Sequence, residues 1–317
     1  MTDGYGRKIT YMRLSVTDLC DLRCRYCMPA DGVCKRDHSE MLTEDEMIRA
    51  VEAAASLGVS KLRITGGEPL VKKNILSICR RAALVPGIDE LCITTNGTRL
   101  APLAKSLREA GVSRVNISLD TLNEDKFRFL TRVGDMSDTL RGIDAALNAG
   151  FEKVKINTVL IGGVNDDEIS ELAALTLKYP VDVRFIELMP MYDGGELKKE
   201  SFIPCTAVLN ALPELCETAP DGGVAKLYRF PGALGNVGLI SPVSAHFCAE
   251  CNRIRLTADG KVKPCLHSAD EYSLKGLDFD GMVRVLGNAI LCKPQWHGEL
   301  DAENRSRAGR NMNRIGG

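Results

Sequence analysis

Three cysteines stand within eight residues, in Cys20-Asp21-Leu22-Arg23-Cys24-Arg25-Tyr26-Cys27. Thiolates this close converge on one object, and soft sulfur donors select a metal ion or an iron–sulfur cluster. The count is informative. A structural zinc site or a closed cubane takes four protein ligands, so three leave one metal position open for chemistry. A second set, Cys248-Ala249-Glu250-Cys251 and then Cys265, again supplies three thiolates and contains a Cys-x-x-Cys chelate. The structural alternative is a zinc site completed by His38 in the first set, or by His246 or His267 in the second.

Cations form the next constellation. Arg253 and Arg255 alternate, which puts two guanidiniums on one face of a strand, and guanidinium forks suit phosphate or carboxylate. Arg13, Arg63 and Lys155 lie inside strand-like runs. A cation there is costly unless it is paired or meets an anion. In a chain of net charge −1, several inward cations point to a small polyanionic substrate. No Gly-x-x-x-x-Gly-Lys-Ser/Thr loop exists, so side chains must hold the phosphates. Gly66-Gly67-Glu68-Pro69 lets backbone approach a ligand closely and adds a carboxylate; a tight turn is the plainer reading.

The elements that must position these groups alternate from residue 9 to about 186. Strand-like runs at Ile9–Ser15, Lys61–Ile64, Glu90–Thr94, Arg114–Leu119, Lys153–Val159 and Val181–Ile186 are separated by helical segments. The helices are expected over Glu44–Leu57, Val71–Leu84, Ala101–Ala110, Asp138–Ala149 and Asp166–Leu177, the first opened by a Thr43–Glu46 capping box. Repeated strand–helix–strand units imply a parallel sheet. Polar residues and glycines crowd the strand ends at 65–68, 94–97 and 118–120, where a βα barrel carries its active site. Six units predict a partial, open, TIM-like α/β barrel, with a doubly wound sheet as the alternative. After residue 190 the rhythm breaks, so the domains are expected at 1–190 and 191–317, the second irregular and carrying the second cysteine set. The basic end reads by default as a frayed tail.

A net charge near zero argues against a nucleic-acid or membrane partner, and no apolar run is long enough to span a bilayer. No apolar leader precedes Thr10, so a cytoplasmic setting is expected. Twelve cysteines there imply ligands rather than disulfides. The six outside the two sets, Cys34, Cys79, Cys92, Cys205, Cys216 and Cys292, read as small buried hydrophobes.

The three-cysteine motif followed by Gly-Gly-Glu-Pro resembles the radical S-adenosylmethionine (SAM) enzymes. Cys-Arg-Tyr-Cys-Met-Pro, Arg-Ile-Thr-Gly-Gly-Glu-Pro-Leu, Thr-Thr-Asn-Gly, Asn-Ile-Ser-Leu-Asp, Arg-Phe-Ile-Glu-Leu-Met, the second cysteine set and the terminal Gly-Gly occur in one order. That series resembles the molybdenum cofactor biosynthesis protein A family, the GTP 3′,8-cyclases, from about Arg13 to Gly317. The resemblance implies a lyase with two 4Fe-4S clusters and SAM. Cys20, Cys24 and Cys27 would hold the SAM cluster, and Cys248, Cys251 and Cys265 an auxiliary one. Tyr26, Gly67, Glu68, Ser118 and Met189 would bind SAM. Arg13, Arg63, Thr94, Lys155, Arg253, Ile254 and Arg255 would bind GTP. Arg253, Arg255 and the Gly316-Gly317 tail would act in catalysis.

The implied reaction abstracts the ribose C3′ hydrogen of GTP with a 5′-deoxyadenosyl radical. The C3′ radical adds to guanine C8, giving 3′,8-cyclo-7,8-dihydro-GTP. Implied partners are an electron donor and a downstream cyclic pyranopterin monophosphate synthase; a homodimer stays open. The alternatives are another radical SAM enzyme with an auxiliary cluster, acting on a peptide, and a non-enzymatic zinc or iron–sulfur regulatory module.

Overall fold

In the computed structural model of the chain, all residues are described except 35, 192–200, 302 and 317. Six βα units form as the sequence pattern implies. Their strands are β1 (Tyr11–Ser15), β2 (Lys61–Thr65), β3 (Glu90–Thr95), β4 (Arg114–Ser118), β5 (Lys153–Leu160) and β6 (Val181–Glu187). The intervening helices are α1 (Glu44–Ser56), α2 (Ile75–Ala83), α3 (Ala104–Glu109), α4 (Glu124–Thr131), α5 (Met136–Asn148) and α6 (Ile169–Lys178). The capping box at Thr43 and Glu46 is present, and Gly58 closes α1 at φ +92°.

Helix α4 was not expected. Its short span offers the core only Phe127, Leu130 and Thr131, too few positions to show a helical period. Helix α2 starts later than expected because Pro69–Val71 forms a separate 3-10 turn.

The region after residue 190 is more regular than its composition suggests. It contains α7 (Thr206–Ala211), β7 (Cys216–Glu217), β8 (Lys226–Arg229), β9 (Val237–Ile240), β10 (Arg253–Leu256), β11 (Lys261–Lys263), β12 (Tyr272–Ser273) and α8 (Phe279–Leu291). Strands of two to four residues show little alternation, and β10 is read from its Arg253 and Arg255 pair alone. Strand β9 pairs parallel to β6, and β10 pairs parallel to β1, so this region extends both edges of the sheet. The order among the described residues is β12-β11-β10-β1-β2-β3-β4-β5-β6-β9-β8-β7, an open α/β sheet and not a closed barrel.

The strands are not continuous apolar runs. Met12, Leu14, Leu62, Ile64, Ile93, Val115, Ile117, Ile156, Val183, Ile254 and Leu256 are buried in one hydrophobic core with the helices. The alternate positions, among them Arg13, Arg63, Thr94, Asn116, Lys155, Arg184, Arg253 and Arg255, project to the opposite face by the two-residue strand period. One face of the sheet is therefore core, and the other is a polar wall.

Candidate active site

The first cysteine loop follows β1 and lies across the C-terminal ends of the strands. Helix α4 anchors it: the carbonyls of Thr131 and Leu130 accept from Arg23 N at 3.0 Å and Arg25 N at 2.9 Å. The Gly66-Gly67 turn anchors it from the other side. A Cβ on Gly67 would sit 2.3 Å from Leu19 O, and Gly67 N donates to Thr17 O at 2.7 Å. The close approach that these glycines allow is thus to the chain's own backbone just before Cys20. Glu68 is fully committed to the same junction. It accepts from Leu70 N, Thr95 Oγ1 at 2.7 Å and Asn96 N at 2.6 Å. Burial pushes its carboxyl up to about 7 against those donors.

Around the thiols the charge is negative. Burial pushes Cys20 up to about 12, and Glu68, Cys27 and Asp21 add to the rise. Burial likewise brings Cys27 to about 12 and Cys24 well above its usual range, with Asp120 contributing to both. The Cys20 thiol accepts from Leu22 N at 3.4 Å. Tyr26 donates to Asp120 Oδ2 at 2.6 Å, and Cys24, Tyr26, Asn96, Ser118 and Asp120 line one small cavity. Two of the expected SAM residues, Tyr26 and Ser118, are therefore brought together beside a thiol.

The polar wall begins next to this loop. Parallel pairing aligns Arg13 with Arg255 on one side and Arg63 on the other. Arg63 Nε donates to Tyr11 Oη at 2.5 Å, and Nη1 reaches Thr94 Oγ1 at 3.3 Å. The Tyr11 ring also lies 5.6 Å from the Arg253 guanidinium. Burial raises the Tyr11 phenol, but Arg63, Arg13 and Arg253 outweigh it and bring it down to about 7. Burial and two neighbouring guanidiniums, Arg13 and Arg253, hold Arg255 well below its usual range. The Nε atoms of Arg13, Arg184 and Arg253 are buried with no hydrogen-bond partner among the described residues. A wall of crowded, under-paired cations is a site for an anion.

Farther along the wall, Asp221 bridges Lys155 Nζ at 3.2 Å and Arg184 Nη2 at 3.0 Å. Burial and the Arg184 charge bring Lys155 down to about 8; Asp221, raised by burial, is drawn down to about 2 by these two cations. Sequence reasoning missed Arg184, Tyr11 and Asn116. Tyr11 and Asn116 lie two residues from Arg13 and Ser118 on their strands, and the signal for Arg184 was a cation inside a strand-like run. Ile254 falls on the opposite face, 1 % exposed in the core, so contact with a substrate is open only to its backbone.

The tail is not frayed. Asn313 Nδ2 donates to Asp18 O at 3.0 Å, and Arg310 clasps Asp259 and Glu271. Ile315 is fully buried with Met191, and Met189 packs against that cluster. Gly316, at φ +77°, offers its carbonyl to Arg255 Nη1, and a Cβ there would lie 2.4 Å from Thr65 Oγ1. Gly317 lies outside the described residues.

The second cysteine set sits at the start of β10. Burial raises the Cys248 thiol. Cys251, also raised by burial, is brought below its usual range by Lys293 and Arg253. Of the histidines offered as zinc ligands to this set, His267 places Nδ1 3.0 Å from Ser306 Oγ, and the His246 ring centroid lies 5.5 Å from that of Trp296. Among the described residues no three His, Cys, Asp or Glu groups are arranged to hold a single metal ion. All six thiols of the two sets are free. Two groups of three free thiols are donor sets that suit iron–sulfur clusters. Of the other cysteines, Cys79, Cys92 and Cys205 are buried as expected. Cys34, Cys216 and Cys292 are exposed, because each lies in a loop, an edge strand or a helix end with no core to enter.

Residues 14–176 match the family model of the radical SAM superfamily, and residues 181–295 match that of Molybdenum Cofactor Synthesis C. A GTP 3′,8-cyclase from Alkaliphilus oremlandii (strain OhILAs) is 47% identical over all of both chains. Another from Peptoclostridium acidaminophilum is also 47% identical, over all of this chain and 98% of its own. The chain belongs to the GTP 3′,8-cyclase family of the radical SAM superfamily. The crystal structure of Streptococcus suis SuiB shares the fold, with a TM-score of 0.65 at 16% identity over 92% of this chain and 67% of that one. As an enzyme of this family it works with SAM and iron–sulfur chemistry. Among the described residues no helix is long and apolar enough to cross a membrane.

Proposed function

We propose that the polar wall is the GTP site and that two 4Fe-4S clusters flank it, one on Cys20, Cys24 and Cys27, the other on Cys248, Cys251 and Cys265. The observation that carries the reading is the run of buried, under-paired guanidiniums between the two thiol sets. A cluster held by Cys20, Cys24 and Cys27 would supply the electron for reductive cleavage of SAM to methionine and a 5′-deoxyadenosyl radical. The chain's own residues do the rest by placement. SAM carries a sulfonium and an ammonium, which suit the carboxylate-lined side with Tyr26, Gly67, Ser118 and Met189. Glu68 serves there as a brace of the Gly66-Gly67 turn. GTP is a polyanion, which suits Arg13, Arg63, Thr94, Lys155, Arg184, Arg253 and Arg255.

Asp221 holds Lys155 and Arg184 in the meantime and must give way to phosphate oxygens. Gly316 keeps the Arg255 guanidinium aimed into the wall, and a side chain at Gly316 would strike Thr65. The region before about residue 190 carries the SAM chemistry and five of the groups that face GTP, and the region after it adds the second thiol set, Arg253, Arg255 and the tail. A cytoplasmic setting, an electron donor and an acceptor enzyme for the product belong to this reading.

The test is anaerobic reconstitution followed by incubation with reductant, SAM and GTP. About eight irons per chain and GTP-dependent 5′-deoxyadenosine are expected. About four irons, or 5′-deoxyadenosine indifferent to GTP, would count against it.

A further inference from the structure

Behind the second thiol set lies a cation that the site as described does not use. Lys293 is 3 % exposed, and its ammonium donates to Arg253 O at 2.9 Å and Pro264 O at 2.7 Å. These carbonyls belong to the two segments that carry the cysteines: Arg253 follows Cys251 by two residues, and Pro264 immediately precedes Cys265. The Lys293 charge also acts on the Cys251 thiol, which it helps draw below its usual range against burial. Arg7 secures the same unit from the N-terminal segment. Its Nη1 donates to Cys248 O at 2.7 Å and Gln295 O at 2.9 Å, and its Nη2 to Pro294 O at 2.7 Å. Asp3 balances Arg7 at 2.6 Å, whereas no carboxylate pairs with Lys293 among the described residues.

A buried ammonium without a carboxylate is costly unless another anion sits beside it. Thiolates bound to a cluster are such an anion. Outer partners of a metal site orient its ligands, and hydrogen bonds and charge at the sulfurs set its potential. We infer that Lys293 is the positioning residue of the second thiol set: its ammonium draws the Cys251 and Cys265 segments together and, as the buried positive charge at Cys251, raises the reduction potential of the cluster held there. The sign follows from charge alone. Reduction adds an electron, and a fixed cation nearby stabilises the reduced form.

The inference rests on the assignment of a cluster to Cys248, Cys251 and Cys265, so its test begins with the iron content of the parental full-length chain. A parental chain holding about four irons, all lost when Cys24 is replaced, would overturn that assignment and this inference with it. With two clusters present, Lys293→Gln, Lys293→Met and Lys293→Arg are reconstituted and titrated anaerobically by electron paramagnetic resonance. Gln keeps a donor without the charge, and Arg keeps the charge.

In the Gln and Met variants the second cluster's midpoint is expected to move to more negative potential while the first stays put. Its iron should also pass to a chelator at least about tenfold faster, with the Arg variant near parental on both counts. Failure of the Met variant to load the second cluster, while Arg loads it fully, supports the same conclusion. Parental midpoint and chelator resistance in Gln and Met would overturn it, and so would an Arg variant as impaired as Met.

Discussion

The two thiol sets have the same number of cysteines and opposite surroundings. Asp21, Glu68 and Asp120 raise the thiols of the first set further than burial alone. Lys293 and Arg253 pull Cys251 of the second set below its usual range. A net charge of −1 conceals this segregation. Composition can therefore be neutral while one face of a sheet runs from carboxylates at one end to guanidiniums at the other. In the proposed function such a separation would favour a cationic cosubstrate at one end and an anionic substrate at the other.

The largest effect that could break the comparison comes from removing a ligand at each end. Cys24→Ala should cost about half the iron and all 5′-deoxyadenosine formation. Cys251→Ala should also halve the iron, yet retain SAM cleavage while losing the cyclised product. Equal loss of SAM cleavage in both variants would show that the two ends do not act separately.

A smaller effect sharpens the cationic end. Arg255→Ala should weaken GTP binding on the order of tenfold to a hundredfold with iron content unchanged, because its place is beside the anion and not on the metal. Calorimetry against iron analysis checks this. A fall in iron would make Arg255 a structural support of the cysteine loop.

The smallest effect is a pH dependence confined to the same end. Burial and Arg184 bring Lys155 down to about 8, below its ordinary value, so it is charged below that pH and neutral above it. GTP affinity should fall several-fold as pH rises through about 8, and Lys155→Arg should flatten that profile. The unfolded chain keeps its lysine protonated to higher pH. Between about 8 and 10.5 the unfolded state binds more protons, so this group's contribution to fold stability rises with pH. An unchanged binding profile in Lys155→Arg would place Lys155 outside the phosphate contacts.

Much of this was legible in the sequence because it is local. The six βα units follow from periodicity and stop signals such as the Thr43–Glu46 box and Gly58, and the open α/β sheet followed from their number. The two cysteine sets and the alternating Arg253 and Arg255 could be read directly. Helix α4 was not legible, since its reason for forming lies partly in the cysteine loop that its last carbonyls hold.

What only the tertiary structure decided is which distant pieces meet. Pairing of β10 with β1 sets Arg255 beside Arg13, whose other neighbour is Arg63, and no local pattern specifies that choice of edge. The same holds for the tail that brings Gly316 to Arg255, for Asp221 between Lys155 and Arg184, and for Lys293 behind Cys251. Residue type and spacing determined what chemistry the chain carries, because ligand softness and charge belong to single side chains. Long-range pairing and burial decided where that chemistry acts, because the cost of an inward charge is set by neighbours hundreds of residues away in sequence.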